Sequence, residues 1–335
     1  AGITSVTIRP VFPETGWNIA QSNMLAQDSF GTIWSWGQNE SGILGQNDIT
    51  PRSVPTRITT GQFTQITANR LCGAVAILNN GLAYSWGTNS NGQLGLGDVT
   101  ARSTPTLIST SQNLNFVKVI SPAIATTLSA NYFLTHSGRI YSSGLNGSGQ
   151  LGDNTTTAKS TPTLVVGGYT FKNVVAGYDC VYAQSTDGTW YGWGSNATYG
   201  RIGDGTTTNR SSPVAVVGGY KFIKLVATPM TTYGLTESGD LYAWGANFYG
   251  EGGFNDNAPR SSPTLVVGGL KWKDVFANGE GYNVFALTTA NQLYGWGLNS
   301  SGNLGIGNTT GKSTPTLVLG SFTTKYVTSS GLSTY

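Results

Sequence analysis

A glycine closes an aromatic stretch at Gly37, Gly87, Gly144, Gly194, Gly245 and Gly297, at spacings of 50, 57, 50, 51 and 52 residues. A unit of about fifty residues cannot bury its own apolar face, so recurrence at a near-constant period means stacked units sharing one continuous core. Directly before the glycine stand Trp36, Trp86, Trp193, Trp244 and Trp296, with Ser143 the exception. Three places before it stand Trp34, Tyr84, Tyr141, Tyr191, Tyr242 and Tyr294. Residues two apart share a face of a strand, so each unit lays paired rings on one side of a sheet. Two places after the glycine comes Asn39, Asn89, Asn146, Asn196, Asn247 or Asn299, a residue able to bond its own turn.

Each unit continues through further glycines, as in Asn91-Gly92-Gln93-Leu94-Gly95, which predict turn conformations that a side chain would oppose. A cation then precedes a proline by three places: Arg52/Pro55, Arg102/Pro105, Lys159/Pro162, Arg210/Pro213, Arg260/Pro263 and Lys312/Pro315. Four to six residues ahead of the cation sits Asp48, Asp98, Asp153, Asp204, Asp256 or Asn308, a pairing that predicts a braced turn; the alternative is a ring of cations that binds an anion. A strand is expected after the proline (Thr163-Leu164-Val165-Val166), then a second (Phe171 to Val175), then a third leading to the next aromatic strand. Four short strands per unit make one blade of a β-propeller.

Composition agrees with an all-β body. Charged residues make up 10% of the chain against about 25% in an average protein, while Gly occurs 47 times. Nine Trp, sixteen Tyr and twelve Phe supply enough burial to exclude a disordered chain. The net charge of +3 is scattered, without a Lys or Arg run, which argues against a nucleic-acid partner. No apolar run reaches membrane-spanning length, so no membrane insertion is expected. Cys72 and Cys180 fall two units apart, too far for a disulfide in a propeller. The chain begins Ala1-Gly2 without Met, as a processed protein or a part of a longer one would.

The run Tyr84-Ser85-Trp86-Gly87-Thr88-Asn89-Ser90-Asn91-Gly92-Gln93-Leu94-Gly95-Leu96-Gly97 resembles the repeat of the regulator-of-chromosome-condensation family of seven-bladed propellers. The resemblance extends from about Ser5 to Tyr335. It implies a single propeller over 1–335, with six full repeats and a seventh blade assembled from residues 1–23 and 320–335; Ser5–Pro10 resemble the strand after the repeat proline and Phe322–Val327 begin another unit. Closure by six blades is the alternative. Members of the family typically carry a His in the strand leading to each hairpin, where this chain has Cys72-Gly73-Ala74, Thr127-Leu128-Ser129, Cys180-Val181-Tyr182 and Asn283-Val284-Phe285. The exchange-factor loops and the basic chromatin-binding arm of the founding member do not map onto these residues.

Catalytic constellations are missing from the sequence. The single His136 lies in a turn, Thr135-His136-Ser137-Gly138, and one His with two separated Cys supplies neither a triad nor a zinc site. Gly-x-Gly fragments sit in repeat turns without the Lys-Ser/Thr of a phosphate loop. Neither an enzyme nor a cofactor is expected.

Function in a repeat scaffold is expected where a unit departs from its neighbours. The loop after the hairpin is small and polar in most units but becomes Ala197-Thr198-Tyr199-Gly200-Arg201 in the fourth and Phe248-Tyr249-Gly250-Glu251 in the fifth, with Phe254 following. Tyr199, Arg201, Phe248, Tyr249 and Phe254 are therefore the candidate partner-binding residues, of types enriched at binding hot spots. Packing between blades is the competing role for the same rings. Sequons at Asn39, Asn146, Asn154, Asn196, Asn209, Asn299 and Asn308 coincide four times with the repeat Asn and are read as repeat chemistry. Low charge and Thr/Ser/Gly/Asn richness lead to an expected role as a virion or cell-surface structural protein, such as a phage capsid decoration or tail component. A secreted binding or inhibitor module and a small-GTPase exchange factor are the alternatives. The expected partner is a protein or assembly neighbour, with a glycan or host-surface receptor as a further case.

Overall fold

The computed structural model describes residues 23–58, 61–69, 73–108, 114–122, 130–277 and 281–320. They fall into two compact units, 1–171 and 172–335. The closing strands expected from residues 1–23 and 320–335 lie, apart from Asn23 and Gly320, outside the described residues.

In the first unit, β1 (Asn23–Gln27), β2 (Ile33–Gly37) and β3 (Arg52–Arg57) form a sheet of three described strands. The next sheet holds β4 (Phe63–Asn69), β5 (Gly73–Leu78), β6 (Ala83–Gly87) and β7 (Arg102–Leu107). A third holds β8 (Phe116–Ile120), β9 (Ala130–Thr135), β10 (Ile140–Gly144) and β11 (Lys159–Leu164). The second unit repeats the pattern three times. Its sheets are β12 (Phe171–Ala176) to β13 (Cys180–Ser185), β14 (Trp190–Gly194) and β15 (Arg210–Ala215); β16 (Phe222–Ala227), β17 (Thr231–Thr236), β18 (Leu241–Gly245) and β19 (Arg260–Leu265); and β20 (Trp272–Ala277), β21 (Asn283–Thr288), β22 (Leu293–Gly297) and β23 (Lys312–Leu317). Within each sheet the strands pair in chain order, as short hairpin connections dictate.

Register explains the spacing of the repeat. Ser85 opposes Thr106 and Gly87 opposes Arg102, so the single residue Trp86 faces a three-residue bulge that contains Pro105. The same shift sets Gly37 against Arg52, Gly144 against Lys159, Gly194 against Arg210, Gly245 against Arg260 and Gly297 against Lys312. The strand expected to follow the proline in fact begins at the cation and takes the proline inside it. That is tolerated because this is the edge strand and the proline sits in a bulge, where no ladder bond is forfeited.

The paired rings face inward as the two-residue period requires. In the first unit Trp86 and Phe63 are buried with Leu25, Ile33 and Ile58, and Tyr84 packs on the same cluster. In the second, Trp244 lies against Phe222 at 5.6 Å and Trp296 against Trp272 at 5.6 Å. Each such indole also donates to a carbonyl of the preceding sheet's loop: Trp86 to Ile43 at 3.0 Å, Trp244 to Arg201 at 2.8 Å and Trp296 to Glu251 at 2.9 Å. Sheets are thus joined by burial and by a directed bond together.

A second joint lies at the far end of the hairpins. Phe63 donates its N–H to Gly31 at 2.9 Å, Phe116 to Gly81 at 2.9 Å and Trp272 to Gly239 at 2.8 Å. Gly31 has φ +79 and a Cβ there would stand 2.6 Å from the Phe63 carbonyl oxygen, so both conformation and contact demand glycine.

Candidate interaction face

The repeat Asn builds the loop that carries the candidate residues. Asn89 donates through Nδ2 to Asp98 O at 3.0 Å and Thr100 O at 3.1 Å, and its Oδ1 accepts the Leu94 N–H at 2.9 Å. Asn247 does the same with Asp256 O at 2.9 Å, Ala258 O at 3.1 Å and Gly252 N at 2.7 Å. The Asn side chains at the four repeat-Asn sequons are fully buried, committed to the turn.

The expected turn braces form in five units: Arg52–Asp48 at 2.5 Å, Arg102–Asp98 at 2.6 Å, Lys159–Asp153 at 3.5 Å, Arg210–Asp204 at 2.6 Å and Arg260–Asp256 at 2.6 Å. The Arg52 bond holds the Asp48 carboxyl below its ordinary range. In the sixth unit Asn308 accepts the Thr310 N–H at 2.9 Å, which closes the turn without a charge. These cations are consumed locally, which removes the basis for an anion-binding ring.

On this frame the loop after β14 carries one more residue than its counterparts, three rather than two separating the repeat Asn from the loop glycine. Asn209 accommodates it by accepting the N–H groups of Asn196 at 2.7 Å and Ala197 at 3.0 Å. Tyr199 then meets Phe248 of the next loop edge to face, ring centroids 5.0 Å apart and planes at 81°. Tyr249 in turn meets Tyr282, 5.2 Å apart and at 74°. Tyr282 precedes Asn283, which registers with Gly297, so Tyr282 lies at the end of the sheet from which the loop after β22 leaves. Phe248 is 50% exposed and Tyr249 43%. The second unit therefore presents a run of four rings drawn from three successive sheets.

Two other candidates are placed differently. Phe254 is 8% exposed and belongs to the core of the two sheets β16–β19 and β20–β23, with the Arg260 guanidinium 5.1 Å from its ring centre. Arg201 is also 8% exposed. Its Nη1 donates to Pro229 O at 2.7 Å, and its carbonyl accepts from Trp244 and from the Tyr182 hydroxyl. Both are packing residues, since the loop turns them toward the neighbouring sheet. Burial raises the Asp179 carboxyl, and nearby Arg201 opposes that rise. His136 lies exposed in its turn, where its N–H bonds Asn115 O at 3.1 Å. Cys180 is a buried free thiol, and Cys72 lies outside the described residues. Among the described residues no three His, Cys, Asp or Glu side chains converge as metal ligands, and no helix is long and apolar enough to cross a membrane.

Repeated antiparallel sheets, one of three described strands and five of four, define the blades of a β-propeller repeat protein of about six to seven blades. The chain belongs to the RCC1-like domain family, whose sequence model matches residues 16–333. It is 32% identical over 304 residues to the ultraviolet-B receptor UVR8 of Arabidopsis thaliana, covering 89% of this chain and 68% of the receptor. It is 28% identical over 193 residues to the human E3 ubiquitin-protein ligase HERC2, covering 55% of this chain but 4% of the ligase. Among solved structures, human WBSCR16 superposes with a TM-score of 0.68 at 21% identity, over 92% of this chain and 83% of that one. Prp20p of Saccharomyces cerevisiae gives 0.67 at 22%, over 90% and 76%. None of these names speaks to a virion or cell-surface location.

Proposed function

We propose that this chain is a non-catalytic protein-interaction propeller that docks its partner on the ring cluster of Tyr199, Phe248, Tyr249 and Tyr282. The carrying observation is the exposure of Phe248 and Tyr249 on a loop whose counterparts in units one, two, three and six hold only Glu, Ser, Asn and Gly. Rings of this kind present large contact area with few rotatable bonds, so little entropy is lost when a partner covers them. The structural relative Prp20p, yeast RCC1, is described by its binding to Gsp1p and histones and by a complex with Kap60, which supports a binding role for the architecture.

The test places a photo-crosslinking residue at Phe248 and, as a control, at Ile223, a still more exposed apolar position on β16. Protein from the natural source is captured covalently and identified. A single partner captured at position 248, absent at 223 and lost with Tyr249→Ala, is expected; equal capture at both sites would overturn the assignment. The virion or surface setting is addressed by the native mass. A fixed large assembly supports a decoration role, and a 35.2 kDa monomer opposes it.

A further inference from the structure

The position after the loop glycine carries Ile43, Gln93, Gln150, Arg201, Glu251 and Asn303 in successive units. In the second and third units the Gln carbonyl oxygen accepts the backbone N–H two residues upstream, from Asn91 at 2.9 Å and Ser148 at 2.7 Å. Glu251 makes the same bond with Oε2, accepting the Tyr249 N–H at 2.7 Å. An amide would bring a neutral NH2 group along with its oxygen. The carboxyl brings a second oxygen, Oε1, which is buried and has no hydrogen-bond partner.

Glu251 is 1% exposed. Tyr233 from β17 and Trp296 from β22 face it, and both donate to its backbone carbonyl at 2.9 Å rather than to the carboxyl. Tyr233 is the titratable group among them, its hydroxyl pushed well up by burial and then by the Glu251 charge. No cation among the described residues acts on the carboxyl; burial raises it above the ordinary carboxylate range, outweighing the backbone N–H groups of Glu251, Tyr249 and Phe248, which pull it down.

We propose that Glu251 is a proton-operated latch beneath the Phe248–Tyr249 loop. Protonated, it occupies the slot as a Gln does and holds the loop through the Tyr249 N–H. Ionised, it carries a buried charge without a counter-ion, and the loop opens to hydrate it. The latch rests on the docking assignment above only for its consequence, which is that the rings are presented in fixed geometry at acidic pH and released as pH rises. Its existence is a property of the free chain.

The experiment follows the carboxyl carbon of Glu251 by NMR in glutamate-labelled protein, assigned by difference against Glu251→Gln, together with hydrogen exchange at Phe248 and Tyr249 from about pH 4 to 8, corrected for intrinsic rate. The expected result is a Glu251 midpoint above the ordinary carboxylate range, with Tyr249 protection falling by up to about tenfold per pH unit between that range and the midpoint and levelling off above it. In Glu251→Gln the protection stays level. A Glu251 midpoint within the ordinary carboxylate range, or the same protection profile in both proteins, would overturn the latch. Should Glu251→Gln not fold, the wild-type chain decides, because the loss of protection must then level off at the carboxyl midpoint. Both readouts use the free chain, so crosslinking at position 248 succeeds or fails independently of them.

Discussion

Ser143 donates its hydroxyl to the carbonyl of Gln93 at 3.0 Å, making the bond that the Trp86, Trp244 and Trp296 indoles make in their own units. The one unit without the repeat Trp keeps its polar joint and gives up the ring. The two substitutions therefore differ in size. Trp296→Ala removes a fully buried ring and should cost about 3–5 kcal/mol. Ser143→Ala should cost about 1 kcal/mol, because Asn131 still donates to Gln93 O at 2.8 Å. Urea denaturation of both variants measures the contrast.

Asn89→Ala leaves the Leu94 N–H and the Asp98 and Thr100 carbonyls without their side-chain partner. At about 1–3 kcal/mol for a buried group left unpaired, the loss should be among the larger ones outside the ring cluster. Thermal denaturation checks it. Since Asn146 is bonded and fully buried in the same way, mass spectrometry of folded protein from a glycosylating host should find that sequon unmodified.

Acid should loosen the outer turns. Bonds from Ser185, then Thr189, hold the Asp187 carboxyl down to about 2, from an ordinary value of 3.8. A depressed carboxyl contributes stability that is complete above its unfolded pKa and disappears as pH falls through the folded one. The melting temperature should thus decline between about pH 4 and 2, and Asp187→Asn should flatten part of that decline. Circular dichroism melts across this range would show a parallel slope in the variant if the assignment is wrong.

Blade turns demand a left-handed residue. Gly239 has φ +80, and a Cβ would sit 3.1 Å from the Trp272 carbonyl oxygen. The sixth unit places Asn291 at the equivalent point, with φ +59. Gly239→Ala should cost about 1–2 kcal/mol, while Asn291→Gly should be nearly neutral because Asn tolerates this region. Paired denaturation curves test the difference.

Burial pushes the Cys180 thiol up to about 11. The thiolate is the reactive form, so Cys180 should resist alkylation near neutral pH in the folded protein and react once denaturant is added. Peptide mass spectrometry after a timed iodoacetamide pulse reads this directly.

Much of the fold was legible in the residues themselves. Recurrence of Trp-Gly-x-Asn prescribed a hairpin and its turn, because a two-residue period buries the rings and an Asn can close its own loop. The Asp–cation spacing likewise prescribed the braces. The fate of Arg201 and Phe254 was not legible, since chain position puts a residue on a loop without saying whether its side chain turns to solvent or to the next sheet. Tyr282 was missed because it lies in the β20–β21 connection, far in sequence from the hairpin loops. A signal existed in the matching pairs Gly177-Tyr178 and Gly281-Tyr282 ahead of β13 and β21.

Local chemistry repeated at a fixed period, acting over a few bonds, determined strands, turns and family from sequence alone. Tertiary packing decided which loop rings stay exposed and which charges are enclosed, because those outcomes depend on the register of neighbouring sheets. Glu251 shows the division: its sequence position marks a turn, and only the surrounding sheets turn its carboxyl into a buried group with an unpaired oxygen.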